Sequence, residues 1–240
     1  MHSPFVYHFY TQVLHARITS ETAKIETLRK SLQKSTLTLE LEDFGAGKGG
    51  NGGGKITRSL REIARLSARR PREGNLLYRI CRQYQPKTCL ELGTNIGISA
   101  LYQLSGLKNS RFITLEGSAE LAEIARKNIT DFGFHAEIYT GEFSALLAKI
   151  NLAELKPDYV FLDGNHRYEA TMFYAQTILP HIPEGGILIL DDIYWSEEMQ
   201  KAWKEIILLP EVTVSIDLFF MGICFVRRPQ AKQSFIMVNG

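Results

Sequence analysis

The sequence has little cysteine, little net charge and no long apolar run. Its three cysteines, Cys81, Cys89 and Cys224, are an odd number without metal-ligand spacing. That argues against a disulfide scaffold and against a structural zinc site. Cys89 and Cys224 lie in apolar, strand-like runs, as reduced core thiols of a cytoplasmic protein would. No apolar stretch approaches the ~20 residues that a membrane-spanning helix needs. The opening MHSPFVYHFYTQVLH has neither a basic start nor a continuous apolar stretch, so it does not read as a signal peptide. A net charge of +2 and 45% apolar residues in 240 suit one large globular α/β domain with an extension. The charge is uneven. Residues 1–87 carry 16 Lys and Arg against 7 Asp and Glu, and residues 88–240 carry 12 against 19.

A missing glycine is informative too. Thr88–Leu92 reads as a buried strand, Gly93-Thr94-Asn95-Ile96-Gly97 as a tight turn, and Ile98–Leu107 as a helix. Strand, glycine turn and helix together present backbone N–H groups to a ligand. Gly93 and Gly97 give only G-x-x-x-G, whereas a pyrophosphate-binding dinucleotide turn has G-x-G-x-x-G. The next strand, Arg111–Leu115, ends in Glu116, placed to accept hydrogen bonds from ribose hydroxyls. A nucleoside-like cofactor without phosphate, S-adenosylmethionine (SAM), fits this combination.

The stretch Asp43–Lys55, DFGAGKGGNGGGK, imitates two phosphate motifs. Gly45, Gly47 and Gly50 match G-x-G-x-x-G, and Gly49 to Lys55 matches the start of a P-loop. Ile56 then stands where Mg²⁺ binding needs Ser or Thr. A run so rich in glycine satisfies such patterns by chance, so a flexible loop or active-site lid over 45–54 is expected.

Around these landmarks the pattern alternates. Ser3–His15 and Glu21–Lys34 are expected as amphipathic helices. Ile56–Ala68 and Glu73–Tyr84 are expected as two more, split by Pro71. From Thr88 onward strands and helices take turns, with strands at Ala136–Thr140, Asp158–Leu162, Gly186–Leu190, Val212–Leu218 and Met221–Arg227. The expectation is a Rossmann-like α/β fold. It has a seven-stranded, mostly parallel sheet, helices on both faces, an antiparallel edge strand and an N-terminal helical extension. The extension is placed at 1–72 and the catalytic domain at 73–240. In such sheets ligands sit beyond the carboxyl ends of the strands. The loops Gly93–Ser99, Glu116, Gly141-Glu142, Asp163–Tyr168 and Asp191–Trp195 therefore face one cleft. Asp163, Asp191 and Asp192 would cluster there, and clustered carboxylates call for something positive among them, such as Mg²⁺ or another divalent cation.

The run ELGTNIGIS with Glu116 behind it resembles the cofactor motifs of class I SAM-dependent methyltransferases. FLDGNHRY and ILDDIYW at the two later strand ends resemble the catechol O-methyltransferase-like branch, including bacterial metal-dependent O-methyltransferases. The resemblance implies metal ligands at Asp163, Asp191 and Asp192, with Asp192 in place of the usual Asn. It puts His166 where that branch has a catalytic Lys. His166 is then the expected base, with Asp163 beside it. The expected cofactor residues are Glu91, Gly93, Thr94, Asn95, Gly97, Ser99, Glu116, Gly117, Gly141, Glu142 and Asp163. Tyr168, Tyr194 and Trp195 are candidate aromatic walls. The implied reaction is methyl transfer from SAM to a hydroxyl of a small molecule, by a protein that is not membrane-bound and whose N-terminal helices offer a homodimer contact. Two alternatives stay open: an RNA-modifying methyltransferase using the basic residues 1–87, and a SAM-binding protein without catalysis. The absence of [DN]-P-P-[YFW] after the fourth strand argues against nucleobase amines as acceptors.

Overall fold

A computed structural model describes residues 3–16, 20–42, 55–66 and 70–237. Helix α1, Pro4–Phe9, starts with Pro4 in its first turn and Ser3 as N-cap, and runs on as a π-helical turn through Tyr10–Leu14. Helix α2 is Ala23–Leu32. Strands β1, Thr38–Glu42, and β2, Lys55–Ser59, form an antiparallel hairpin with Leu41 opposite Ile56. Helices α3, Leu60–Leu66, and α4, Pro71–Tyr84, follow.

The main body alternates as its pattern implies. It runs β3, Thr88–Leu92; α5, Ile98–Gly106; β4, Arg111–Glu116; α6, Ala119–Asp131; and β5, Glu137–Thr140. Then come two short helices, α7, Phe143–Leu147, and α8, Leu152–Leu155, before β6, Tyr159–Leu162, and α9, Tyr168–Ile178. Strand β7, Ile187–Asp191, and helix α10, Glu197–Ile206, lead to β8, Val214–Asp217, β9, Met221–Phe225, and β10, Gln233–Ile236. Ser118 and Ser196 cap α6 and α10 by accepting from Leu121 N and Met199 N, which satisfies first-turn donors.

The sheet order is β10-β8-β9-β7-β6-β3-β4-β5. Only β9 runs against its neighbours. The chain leaves β3 first toward β4 and β5, then returns to β6 and β7 on the other side. The carboxyl ends of β3 and β6 thus flank a topological switch point, where α/β sheets bind ligands. Successive strand residues point to opposite faces. Cys89, Phe112, Tyr159 and Ile187 enter one core with α1, α4, α5 and α6, while Leu90, Ile113, Val160 and Leu188 enter another with α9 and α10. The N-terminal segment belongs to the first core. Phe5 and Phe9 of α1 meet the Phe225 ring edge-on at 4.9 and 5.7 Å.

Three expectations change. The sheet has eight strands, not seven, because Gln233–Ile236 pairs in parallel with β8. The antiparallel strand is β9, inside the sheet, because β8 and then β10 extend beyond it. Ile56–Ser59 is strand, not helix. Leu37, Leu39 and Leu41 alternate with polar residues, and across the hairpin β-branched Ile56 pairs with Leu41 and Thr57 with Glu40. A P-loop feeds into a helix, whereas 43–54 lead into β2. Residues 43–54, and with them the expected lid, lie outside the described residues.

Candidate active site

The turn after β3 is fixed by backbone constraints. Gly93 N and Thr94 N both donate to Leu115 O of β4, at 2.9 and 3.2 Å. Gly93 sits at φ +105°, and a Cβ there would lie 2.1 Å from the Asp163 carbonyl oxygen. The loop after β3 and the loop after β6 therefore touch backbone to backbone, which only glycine permits. Gly97, at φ +82°, opens α5 against Ala125 of α6. Asn95 is also left-handed, at φ +49°, and its side chain accepts from Ile96 N.

Several of the expected cofactor residues look inward. Glu91 is fully buried and accepts from Ser99 Oγ at 2.7 Å, Gln103 Nε2 at 2.7 Å and Thr114 Oγ1 at 2.8 Å. Thr94 and Thr114 share a hydroxyl–hydroxyl bond. Glu91, Thr94 and Ser99 thus tie β3, β4 and α5 together beneath the turn. Glu116 lies at its rim. Its Oε2 accepts from Asn95 N at 2.6 Å and its Oε1 from Ser118 N at 3.0 Å, with Gly117 N adding a third donor. Burial pushes the Glu116 carboxyl above the usual range, and these backbone donors offset only part of that. Gly141, at φ +145°, donates its N–H to Glu116 O. Glu142 is occupied by its own helix. It caps α7 by accepting from Ser144 N and Ala145 N, and Ser144 Oγ donates to it as well. Burial opposes its charge, but these donors prevail and hold it below the usual range.

Asp163, His166 and Asp191 come together at the ends of β6 and β7. One donor atom from each lies within 4.8 Å of the others. Asp163 N donates to Leu92 O, so its backbone is pinned beside the β3 turn. Asn165, at φ +53°, and a tight Arg167 N to Asn165 O bond fold the loop so that His166 Nε2 lies 3.8 Å from Asp163 Oδ1. Asp191 is fully buried. Asp192, expected as the third carboxylate, is not in this group. Consecutive residues leave a strand on opposite sides, and Asp192 sits at φ +49° with its N–H on Phe220 O. Donors bound to one cation at about 2.0–2.3 Å stand about 3–4.5 Å apart, so a spacing within 4.8 Å makes the three residues a candidate donor set for a divalent ion.

The expected aromatic walls separate. Tyr168 braces α9 on α10, its hydroxyl donating to Glu205 and Lys201 lying 4.1 Å over its ring. Tyr194 and Trp195 stay exposed at the end of β7. Phe219, in the turn between β8 and β9, joins Tyr194 at a centroid distance of 5.3 Å. Sequence reasoning did not reach Phe219, because only pairing of β9 with β7 brings its turn there.

Residues 90–193 match the methyltransferase domain family. A catechol O-methyltransferase from Niastella koreensis is 34% identical over 127 residues, which are 51% of this chain and 57% of that protein. The chain thus spans little more than half the length of that relative. In three dimensions, cofactor-bound Rv0187 from MTB aligns over 93% of this chain and 95% of its own, with TM-score 0.62 and 18% identity. The O-methyltransferase from Bacillus cereus in complex with SAH aligns over 92% and 97%, with TM-score 0.60 and 18% identity.

Proposed function

We propose that this chain, which has the class I methyltransferase fold and matches the methyltransferase domain family over residues 90–193, transfers a methyl group from SAM to a hydroxyl of a small molecule. The observation that carries the reading is the meeting of Asp163, His166 and Asp191 against the Gly93 turn. In this reading the Glu116 carboxylate accepts from the ribose hydroxyls, and the backbone of Gly93–Gly97 lines the methionine end. Bound SAM supplies an electrophilic methyl on a sulfonium. His166 removes the acceptor's hydroxyl proton, the oxygen–carbon bond forms as the sulfur–carbon bond breaks, and Asp163 orients the imidazole. Asp163 and Asp191 would hold a divalent cation, Mg²⁺ or another, which when bound supplies Lewis acidity that lowers the pKa of the acceptor hydroxyl.

A second role for His166 is favoured by its place in the same 4.8 Å group. As a third ligand it would leave deprotonation to solvent. The two roles separate by experiment. SAM affinity is measured by calorimetry, Mn²⁺ affinity by the same method, and turnover with labelled SAM across a panel of phenols and polyols, with and without EDTA. If His166 is the base, His166→Ala keeps Mn²⁺ affinity and lowers turnover by ~10²–10⁴-fold. If it is a ligand, Mn²⁺ affinity falls with turnover. Full activity after exhaustive chelation would remove the cation, and absence of SAM binding would sink the methyltransferase reading itself.

A further inference from the structure

The turn between β8 and β9 carries a bulky residue where a glycine belongs. Phe219 is at φ +70°, a left-handed conformation that large side chains rarely adopt. Leu218 N donates to Met221 O across the same turn. The neighbouring Phe220 packs against the core, whereas the Phe219 ring is 49% exposed. Packing therefore does not account for the strain. Non-glycine residues in this region persist where the surroundings impose them, and they gather at binding sites.

The surroundings here do impose it. Asp217, itself only 6% exposed, accepts from Phe219 N through Oδ1 at 2.9 Å. Its Oδ2 accepts from Tyr194 Oη at 2.9 Å and from Trp203 Nε1 at 3.0 Å. One buried carboxylate thus sets both the backbone of Phe219 and the tilt of Tyr194. The two rings lie 31° apart in plane and both reach solvent. Asp192 N donates to Phe220 O, which ties this turn to the residue after Asp191. The pair stands at the same end of the sheet as Asp163, His166 and Asp191; the turn that holds Phe219 joins the two strands next beyond β7, about 5–10 Å across the sheet from it.

We propose that Phe219 and Tyr194 form a pre-set platform for the acceptor, which carries its hydroxyl on a ring with an apolar face. The ring stacks on the aromatic pair and so directs its hydroxyl at His166. An aryl ring and the C–H face of a pyranose share this chemistry. The proposal rests on the O-methyltransferase reading and adds to it the residues that select the acceptor.

The decisive substitution is Phe219→Gly in the full-length chain. Glycine adopts φ +70° freely, so relief of strain and loss of an exposed ring should raise Tm by a few degrees. Binding is probed by saturation-transfer NMR with S-adenosylhomocysteine present, using protocatechuate as the aryl probe and methyl glucoside as the pyranose probe. The wild type should bind one of them through its ring protons, and which one identifies the source. Phe219→Gly and Tyr194→Ala should each weaken that probe roughly ten-fold while S-adenosylhomocysteine affinity stays unchanged. A fall in Tm for Phe219→Gly, unchanged probe affinity in both variants, or a wild type that binds neither ring would overturn the platform. Failure of the wild type to bind S-adenosylhomocysteine would instead strike the methyltransferase reading.

Discussion

Gly93 shows how much one residue can decide. Its missing Cβ lets the loop after β3 touch the Asp163 carbonyl, which brings the candidate cofactor turn and the candidate catalytic loop together. Gly93→Ala should therefore cost about 2 kcal/mol or more in urea unfolding, since neither backbone can give way cheaply. It should lose SAM affinity with it. Glu116 makes the opposite trade. Its folded pKa is raised by burial, so the native state binds its proton more tightly than the unfolded chain does. That contribution is present below the unfolded carboxylate pKa and is lost as pH rises through the folded value. Glu116→Gln should accordingly be more stable than wild type at neutral pH without ligand, and the advantage should shrink as pH falls from the raised folded value toward about 4.5, below which no further change is expected. The same variant should bind SAM more weakly. Thermal melts across pH, paired with calorimetry, check both halves; equal melting temperatures at every pH would contradict the burial argument.

At the level of elements, α7 distinguishes capping from ligand binding. The helix has five residues, and Glu142 satisfies its first-turn donors. Glu142→Ala should cost about 0.5–2 kcal/mol of stability, as a lost N-cap does, and should leave SAM affinity within a few-fold of wild type. A large drop in affinity with unchanged stability would return Glu142 to the cofactor site. Helix α1 has its Ser3 cap, but rings hold it to the sheet. Phe9 is fully buried against Phe225, and the Arg227 guanidinium lies 4.0 Å over Phe5. Phe9→Ala should cost about 3–5 kcal/mol, read from denaturant midpoints at a constant slope.

Over the whole molecule, one core joins the N-terminal helices to the sheet. Val6, Phe9, Ile25 and Leu77 share a cluster with Ile189, Ile223 and Phe225. We therefore expect a single cooperative unfolding transition, with calorimetric and van't Hoff enthalpies in agreement, although residues 1–72 read as a separate extension in the sequence. The alternation of strand and helix after Thr88, the glycine turn and the acids at the strand ends were legible because each depends on local periodicity or on neighbours a few residues away. Sequence alone therefore determined the α/β class, the strand that carries the Gly93 turn and the resemblance to SAM-dependent methyltransferases. It did not give the hairpin of β1 and β2, the pairing of β10, or the position of Phe219. Those depend on partners distant along the chain, which no local pattern encodes. It placed His166 beside Asp163 but could not tell that Asp192 stands apart from Asp163, His166 and Asp191, because that turns on two left-handed residues, Asn165 and Asp192. Nor could it tell that Glu91 and Ser99 face each other and that Glu142 caps its own helix. A polar residue near a ligand loop looks the same in sequence whether it serves the ligand or the scaffold. Only the folded chain assigns each donor to its acceptor.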